Sequence, residues 1–171
     1  LPPKIHSIEE LVQAIRQKRE EQGLDGWIQG WGYDEGKFAE KRSITRWDLD
    51  RGCSDAPVSI IRTCGHIRCV NSRALELAGI DRNTPDPDGG EIERDENGEP
   101  TGVLKENARN LVTPFMPVPE REEKVENLAE LGRLLTSQGI VAVTDMGNLD
   151  SGDNYPLYRE AAEKGFLQEV G

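Results

Sequence analysis

Residues 139–147 read Gly139-Ile140-Val141-Ala142-Val143-Thr144-Asp145-Met146-Gly147, an almost unbroken apolar run closed by glycines. A run this short and this uniformly apolar predicts a strand buried on both faces, the kind found in parallel sheets. Upstream, Glu120, Glu122 and Glu123 load the first turn of a helix that carries Val125, Leu128, Leu131 and Leu135, and Gly139 stops it. Downstream, Asp153 is placed to cap a second helix, with Pro156 in its first turn and Leu157, Ala161 and Ala162 along it. Gly165 ends that helix, and Phe166-Leu167 opens a further strand. The order is α-β-α-β, the repeat unit of a parallel sheet or barrel. Two such units cannot close a barrel, so this part reads as a slice of something larger.

The N-terminal two-thirds follow a different grammar. Ser7 and Glu10 form a capping box ahead of Ile8, Leu11, Val12 and Ile15, and Gly23 ends the helix they define. Trp27-Ile28-Gln29-Gly30-Trp31-Gly32 alternates at a period of two, and its glycines predict a bulge or a close backbone approach. Thr45 and Asp48 repeat the cap pattern over one turn, and Val58-Ser59-Ile60-Ile61-Arg62 reads as a central strand. Ile67-Arg68-Cys69-Val70 is a second short strand, after which Asn71 or Ser72 caps a helix closed by Gly79. The proline- and aspartate-rich stretch from Asp81 to Gly90 is a loop. Glu91–Arg94 and Pro100–Leu104 then form a hairpin in which Asn97-Gly98 is expected to supply the positive-φ residues.

With 32 acidic against 21 basic residues, the net charge of −11 excludes a non-specific nucleic-acid binder and a basic membrane-surface patch. No apolar run approaches the roughly 18 residues of a membrane span. The chain opens at Leu1 without a Met or a charged signal region, so its first residue is expected to be a cut within a longer chain. Cys53, Cys64 and Cys69 are an odd set and read as free thiols of a reducing, cytoplasmic protein.

Chemistry can sit in few places. His6 and His66 are the only histidines, with no His-x-His or His-Glu-x-x-His pattern. Gly65-His66 between two apolar strands leaves an imidazole at a strand end, to meet a ligand or to bond backbone in a turn. Trp31, Tyr33, Asp34 and Glu35 make an aromatic-acidic cluster at another strand end, able to stack on a substrate or simply to pack and be solvated. Asp145 stands at the C-terminal end of a parallel strand, where barrel enzymes keep functional groups and where a helix cap is equally at home. Cys53, Cys64, His66 and Cys69 offer soft zinc ligands at a spacing that matches no common zinc motif. Neither a phosphate-binding glycine loop nor a serine nucleophile elbow is present.

Taken in order, several segments resemble one branch of the amidohydrolase superfamily. They are Gly30-Trp31-Gly32-Tyr33-Asp34-Glu35, Thr45-Arg46-Trp47-Asp48-Leu49-Asp50, and Gly65-His66 with Val70-Asn71-Ser72-Arg73-Ala74-Leu75. Gly89-Gly90-Glu91-Ile92 with Gly98 to Leu104, and Gly139 to Gly147, complete the set. That branch includes N-substituted formamide deformylases and many uncharacterised metal-dependent hydrolases. The resemblance implies a (β/α)8 barrel with a small β-sandwich, and a metal centre built from a His-x-His, a lysine, two further histidines and an aspartate. None of these ligands is matched here, and Cys64 stands where the family pattern often has an aspartate.

The resemblance therefore implies an internal fragment of α/β class, α+β overall. It is expected to be a single compact piece of 171 residues made of partial (β/α)8 barrel units and a mixed α+β insertion. Residues 1–23 would be the first barrel helix, 24–112 the insertion with short strands and a hairpin, and 113–171 the α-β-α-β barrel units. His66, Trp31, Asp34 and Asp145 become substrate-pocket candidates, with no catalytic or metal-ligating residue assigned. The parent enzyme would use zinc or a similar divalent ion to hydrolyse carbon–nitrogen bonds of the amide type, while the fragment alone would be inactive and hold no cofactor. Its partners would be the rest of the parent chain, a small amide-type substrate and, through exposed edge strands, a second copy in a homodimer. The competing expectations are a non-catalytic small-ligand-binding or regulatory module and a zinc protein built on the cysteines.

Overall fold

The computed structural model describes residues 5–23, 26–145 and 154–171. The expected cap at Asp153 and the pair Met146-Gly147 lie outside the described residues. Where the sequence reads as one compact piece, the chain divides into two units, Leu1–Pro117 and Val118–Gly171. Each has its own apolar cluster, and Pro117 and Pro119 flank the seam, five residues beyond the expected end of the insertion.

In the first unit helix α1 (Ile8–Gln22) starts where Ser7 Oγ accepts the Glu10 N–H at 3.1 Å. The Glu10 carboxylate reaches back one residue further than a standard capping box, to the His6 N–H at 2.7 Å. Ile8, Leu11, Val12 and Ile15 form its buried stripe. Strand β1 (Ile28–Tyr33), helix α2 (Arg46–Gly52), strand β2 (Val58–Arg62), strand β3 (Ile67–Val70) and helix α3 (Ser72–Ala78) follow. Strands β4 (Gly90–Arg94) and β5 (Pro100–Glu106) and two 3-10 turns, Asn107–Leu111 and Thr113–Phe115, complete the unit.

The five strands form one mixed sheet in the order β1-β2-β3-β5-β4. Strands β1 and β2 run parallel, and all other pairs are antiparallel. Side-chain alternation sorts the sheet into two faces. Val58, Ile60, Cys69 and Val103 pack with α1 and Leu49 of α2, and Val70, Leu104 and Ile92 pack with Ala74 and Leu75 of α3 and with Ala108. The sheet thus has a helical layer on each side. Residues 8–22, expected as a barrel helix apart from the insertion, share the first of these clusters.

Both glycine expectations for β1 hold. A Cβ on Gly30 would sit 2.8 Å from Ile60 Cδ1, and at Gly32 (φ 92°) the register slips between Trp31 and Tyr33. The slip breaks alternation, so Trp31 stays exposed while Tyr33 turns inward and stacks on Phe38 at 6.1 Å. The 94–100 turn differs from expectation, since Gly98 alone takes positive φ (81°). Asp95 Oδ1 accepts the Asn97 and Glu99 N–H groups at 2.9 Å, so the connection is longer than a two-residue turn and Asn97 stays in an ordinary conformation.

The second unit contains helix α4 (Arg121–Ser137), strand β6 (Ala142–Val143), helix α5 (Tyr155–Glu163) and strand β7 (Glu169–Val170), with β6 and β7 parallel. The α-β-α-β order is as read, except that the last strand starts at Glu169 and not at Phe166-Leu167, and with two further corrections. The buried face of α4 is Val125, Ala129 and Gly132, with Leu131 exposed; Gly132 wins because a Cβ there would stand 2.7 Å from Phe166 Cα, so only a bare backbone fits. The strand expected to be buried on both faces is two residues long, and Val141 is 76% exposed. Double burial needs layers above and below the sheet, and β7 is its only paired neighbour among the described residues.

Two buried polar groups hold the first unit. Asn71, fully buried, accepts from Val58 N–H (2.9 Å) and Ala74 N–H (3.0 Å), and donates to the carbonyls of Cys53 (2.8 Å) and Ala56 (2.9 Å). Asn71→Ala strands three backbone groups and leaves the Ala56 carbonyl only the weak Cys53 thiol donor, and it should cost roughly 3 kcal/mol, read as a lowered urea midpoint with an unchanged m-value. Asp48 closes the capping box at Thr45 and takes a two-pronged bond from Arg42 at 2.6 and 2.7 Å. Burial pushes its pKa up, but the Arg42 and Thr45 bonds outweigh this and hold it below the ordinary 3.8. A carboxylate lowered on folding contributes its full stability above the unfolded value and loses it as pH falls through the folded one. Stability should therefore drop below about pH 4, and Asp48→Asn should flatten that acid limb in pH-dependent urea titrations.

Candidate active-site region

The end of the sheet where β1 and β2 finish and β3 begins carries most of the candidate residues. Tyr33 C=O accepts the Thr63 N–H at 2.9 Å and Arg62 C=O accepts the Gly65 N–H at 2.8 Å, so the chain turns tightly between β2 and β3. Gly65 takes φ 77°, a conformation closed to most side chains. The Trp31 indole lies against this turn, and a Cβ on Gly65 would meet its Cη2 at 3.4 Å. His66, next along, is exposed, and its Nδ1 faces Glu106 Oε2 at 3.0 Å. Glu106 also donates its N–H to the His66 carbonyl at 2.9 Å and holds φ 49°, unusual for a residue with a side chain.

Trp31 and His66 are therefore brought to one turn. Asp34 stands at the end of the same β1 strand, but its carboxylate is occupied locally: Oδ1 accepts the Gly36 N–H at 3.0 Å, and Lys37 approaches Oδ2 at 3.5 Å. Asp145 belongs to the second unit, where its Oδ2 accepts the Tyr158 hydroxyl at 2.9 Å and its N–H donates to the Gly171 carbonyl at 3.1 Å.

Several neighbours at this turn were not read from the sequence. Arg62 clamps Glu35 through two bonds of 2.7 and 2.8 Å, and these hydrogen bonds hold the Glu35 carboxyl below its usual range. Arg109 donates to the Gly65 carbonyl. An acid and a base 27 residues apart give no local periodic signal. The only sequence clue is that Arg62 ends a strand whose neighbour ends in an acidic pair.

The soft-ligand reading fails on geometry. Cys53 and Cys69 are buried in the cluster with α1 and α2, the Cys53 thiol directed at Asp55 Oδ1 and the Ala56 carbonyl and the Cys69 thiol at the Ile44 carbonyl, while Cys64 is exposed at the turn. Among the described residues, no three His, Cys, Asp or Glu side chains come together to hold a metal ion. All three cysteines are free thiols, as expected.

Against this geometry, comparison with known proteins is direct. A model of the amidohydrolase family matches residues 1–168, and the chain belongs to that family. It is 43% identical over 111 residues to "Putative amidohydrolase YtcJ" of Bacillus subtilis (strain 168), covering 65% of this chain and 21% of that protein. It is 36% identical over 110 residues to the N-substituted formamide deformylase of Arthrobacter pascens, covering 64% and 20%. Among solved structures it resembles an uncharacterised metal-dependent hydrolase from Pyrococcus horikoshii OT3, with a TM-score of 0.56 at 26% identity over 96% of this chain and 30% of the other. The chain thus spans about a fifth of the length of the curated relatives it matches.

The three thiols differ in a way that can be measured. Hydrogen bonds from Arg62 and from the His66 N–H hold the Cys64 thiol below its ordinary value, whereas burial pushes Cys53 up and Cys69 well up. Iodoacetamide at pH 8 should label Cys64 at least roughly tenfold faster than the other two, by peptide mass spectrometry, and Arg62→Gln should slow that labelling.

Proposed function

We propose that this chain is a segment of a metal-dependent amidohydrolase that hydrolyses amide-type carbon–nitrogen bonds outside peptides, and that it forms part of the substrate pocket. In this proposal α4-β6-α5-β7 are consecutive (β/α)8 units and residues 24–112 an insertion at the barrel mouth, working in the cytoplasm with the rest of the parent chain. Support comes chiefly from the turn that assembles Trp31 and His66 at an exposed sheet end, within a chain of hydrolase family membership. Open strand edges at β1 and β4 also favour self-association as a homodimer. No helix among the described residues is long and apolar enough to cross a membrane.

In this pocket the Trp31 face packs against the flat amide or its substituent, and His66, oriented by Glu106, hydrogen-bonds the substrate. Asp34 shapes the β1 end by holding its own turn, and Asp145, tied to Tyr158, is a separate polar candidate carried by the second unit. The family implies a divalent ion, zinc or similar, which would supply a water activated for attack on the carbonyl. The described residues offer no donor set that fits such an ion, so the chain's own contribution is binding and orientation.

The test pairs elemental analysis of the 171-residue chain with an amidase assay in added zinc or manganese. The expected outcome is neither stoichiometric metal nor turnover. In the longer parent, Trp31→Ala and His66→Ala should each raise KM by roughly tenfold with a smaller effect on kcat. Turnover by the isolated chain would overturn the fragment proposal, and unchanged KM in both parent variants would overturn the pocket assignment and favour a non-catalytic binding module.

A further inference from the structure

Strand register aligns one row of side chains across the first unit. Trp31 pairs with Ile61, Ile61 with Arg68, Arg68 with Leu104, and Leu104 with Ile92. Gly30, Ile60, Cys69 and Val103 occupy the alternate row, toward α1 and α2. The first row therefore faces the side of α3 and the 3-10 turns. It is buried and apolar at the Leu104–Ile92 end and opens at Trp31, which is 65% exposed. Arg68 sits in its middle.

Arg68 is half-buried and has no counter-ion among the described residues. Its Nε is fully covered without a hydrogen-bond partner, and its recorded donation is from Nη1 to the Met116 sulfur, a weak acceptor. Burial, and then the charge of Arg109, disfavour its protonated form. Arg109 itself donates to a carbonyl, that of Gly65. The carboxylates at this end of the sheet are engaged elsewhere, Glu106 with His66 and Glu35 with Arg62. In a chain with 32 acidic and 21 basic residues, two neighbouring arginines without a carboxylate do not arise from a surplus of cations. A covered guanidinium beside a like charge is costly unless an anion completes it.

We propose that Arg68 and Arg109 form a binding site for a carboxylate whose apolar body lies along Ile61 and the Trp31 indole. The guanidinium fork suits the two carboxylate oxygens, and the aromatic face suits a flat body. The carboxylate belongs either to a free small molecule, a substrate included, or to a side chain of the longer parent. Only the identification of that molecule as substrate rests on the function proposed above, and binding is measurable without turnover.

The test is titration of the 171-residue chain with sodium benzoate, and with benzamide as the neutral isostere, followed by NMR at the Trp31 indole N–H and the Arg68 Nε–H. Saturable shifts with benzoate and none with benzamide are expected. Arg68→Met should weaken benzoate at least roughly tenfold while the melting temperature holds or rises, because a structurally required arginine would instead lower it. If Arg68→Met does not fold, Arg109→Met and Arg68→Lys, which keeps charge but loses the fork, should each weaken benzoate. Binding by the chain that is lost in the parent assigns the site to a parent carboxylate, and binding retained in both assigns it to a small molecule. No saturable response to benzoate, an equal response to benzamide, or unchanged affinity in the arginine variants would overturn the proposal.

Discussion

The first unit depends on one amide. Asn71 reaches the start of β2, the N-terminus of α3 and two carbonyls of the 53–56 connection through four bonds between 2.8 and 3.0 Å. Each of those backbone groups lies where water does not reach, and an unpaired one would carry the desolvation penalty of a lost hydrogen bond. A side chain with two donors and two acceptor sites satisfies all of them at once. It also couples strand register to helix placement, because Val58 and Ala74 share the same oxygen.

From that anchor the β2–β3 turn, and everything it presents, follows. The slip at Gly32 separates Trp31 from Tyr33, sending one ring to solvent and the other to Phe38. Without it, alternation would place both on one face. Positive φ at Gly65 then closes the turn against the exposed ring, with His66 next along the chain. Around the turn Arg62 is paired with Glu35 and His66 hydrogen-bonds Glu106, whereas among the described residues Arg68 and Arg109 meet no carboxylate.

Local signals were legible and non-local ones were not. The caps at Ser7 and Thr45, the stop at Gly79 and the central place of Val58–Arg62 all depend on contacts a few residues apart or on strand-length patterning, and each is found. The buried face of α4 was misread because Gly132 carries no hydrophobic signal, though a tight approach to Phe166 requires it. The apolar run 140–144 predicts a doubly buried strand from composition alone, but burial depends on what covers a strand, and only Ala142–Val143 pairs. At the candidate site, His66, Trp31 and Asp34 were visible as residue types at strand ends. Glu106, which bonds His66, and Arg62 and Arg109, which bond Glu35 and the Gly65 carbonyl beside them, come from segments distant in sequence.

The sheet order carries a consequence for how the chain is built during synthesis. β5 is the last of the first unit's five strands to be made yet lies inside the sheet, between β3 and β4. When β3 leaves the ribosome its outer edge is open, and it stays open until Glu106 has followed some 36 residues after Val70. The β4–β5 hairpin, closed by a short turn, forms on its own timescale of microseconds and then adds to β3 as a preformed ribbon. The chain thus meets its most association-prone moment late, and the speed of that one docking step sets how long the unpaired edge is offered to other nascent chains.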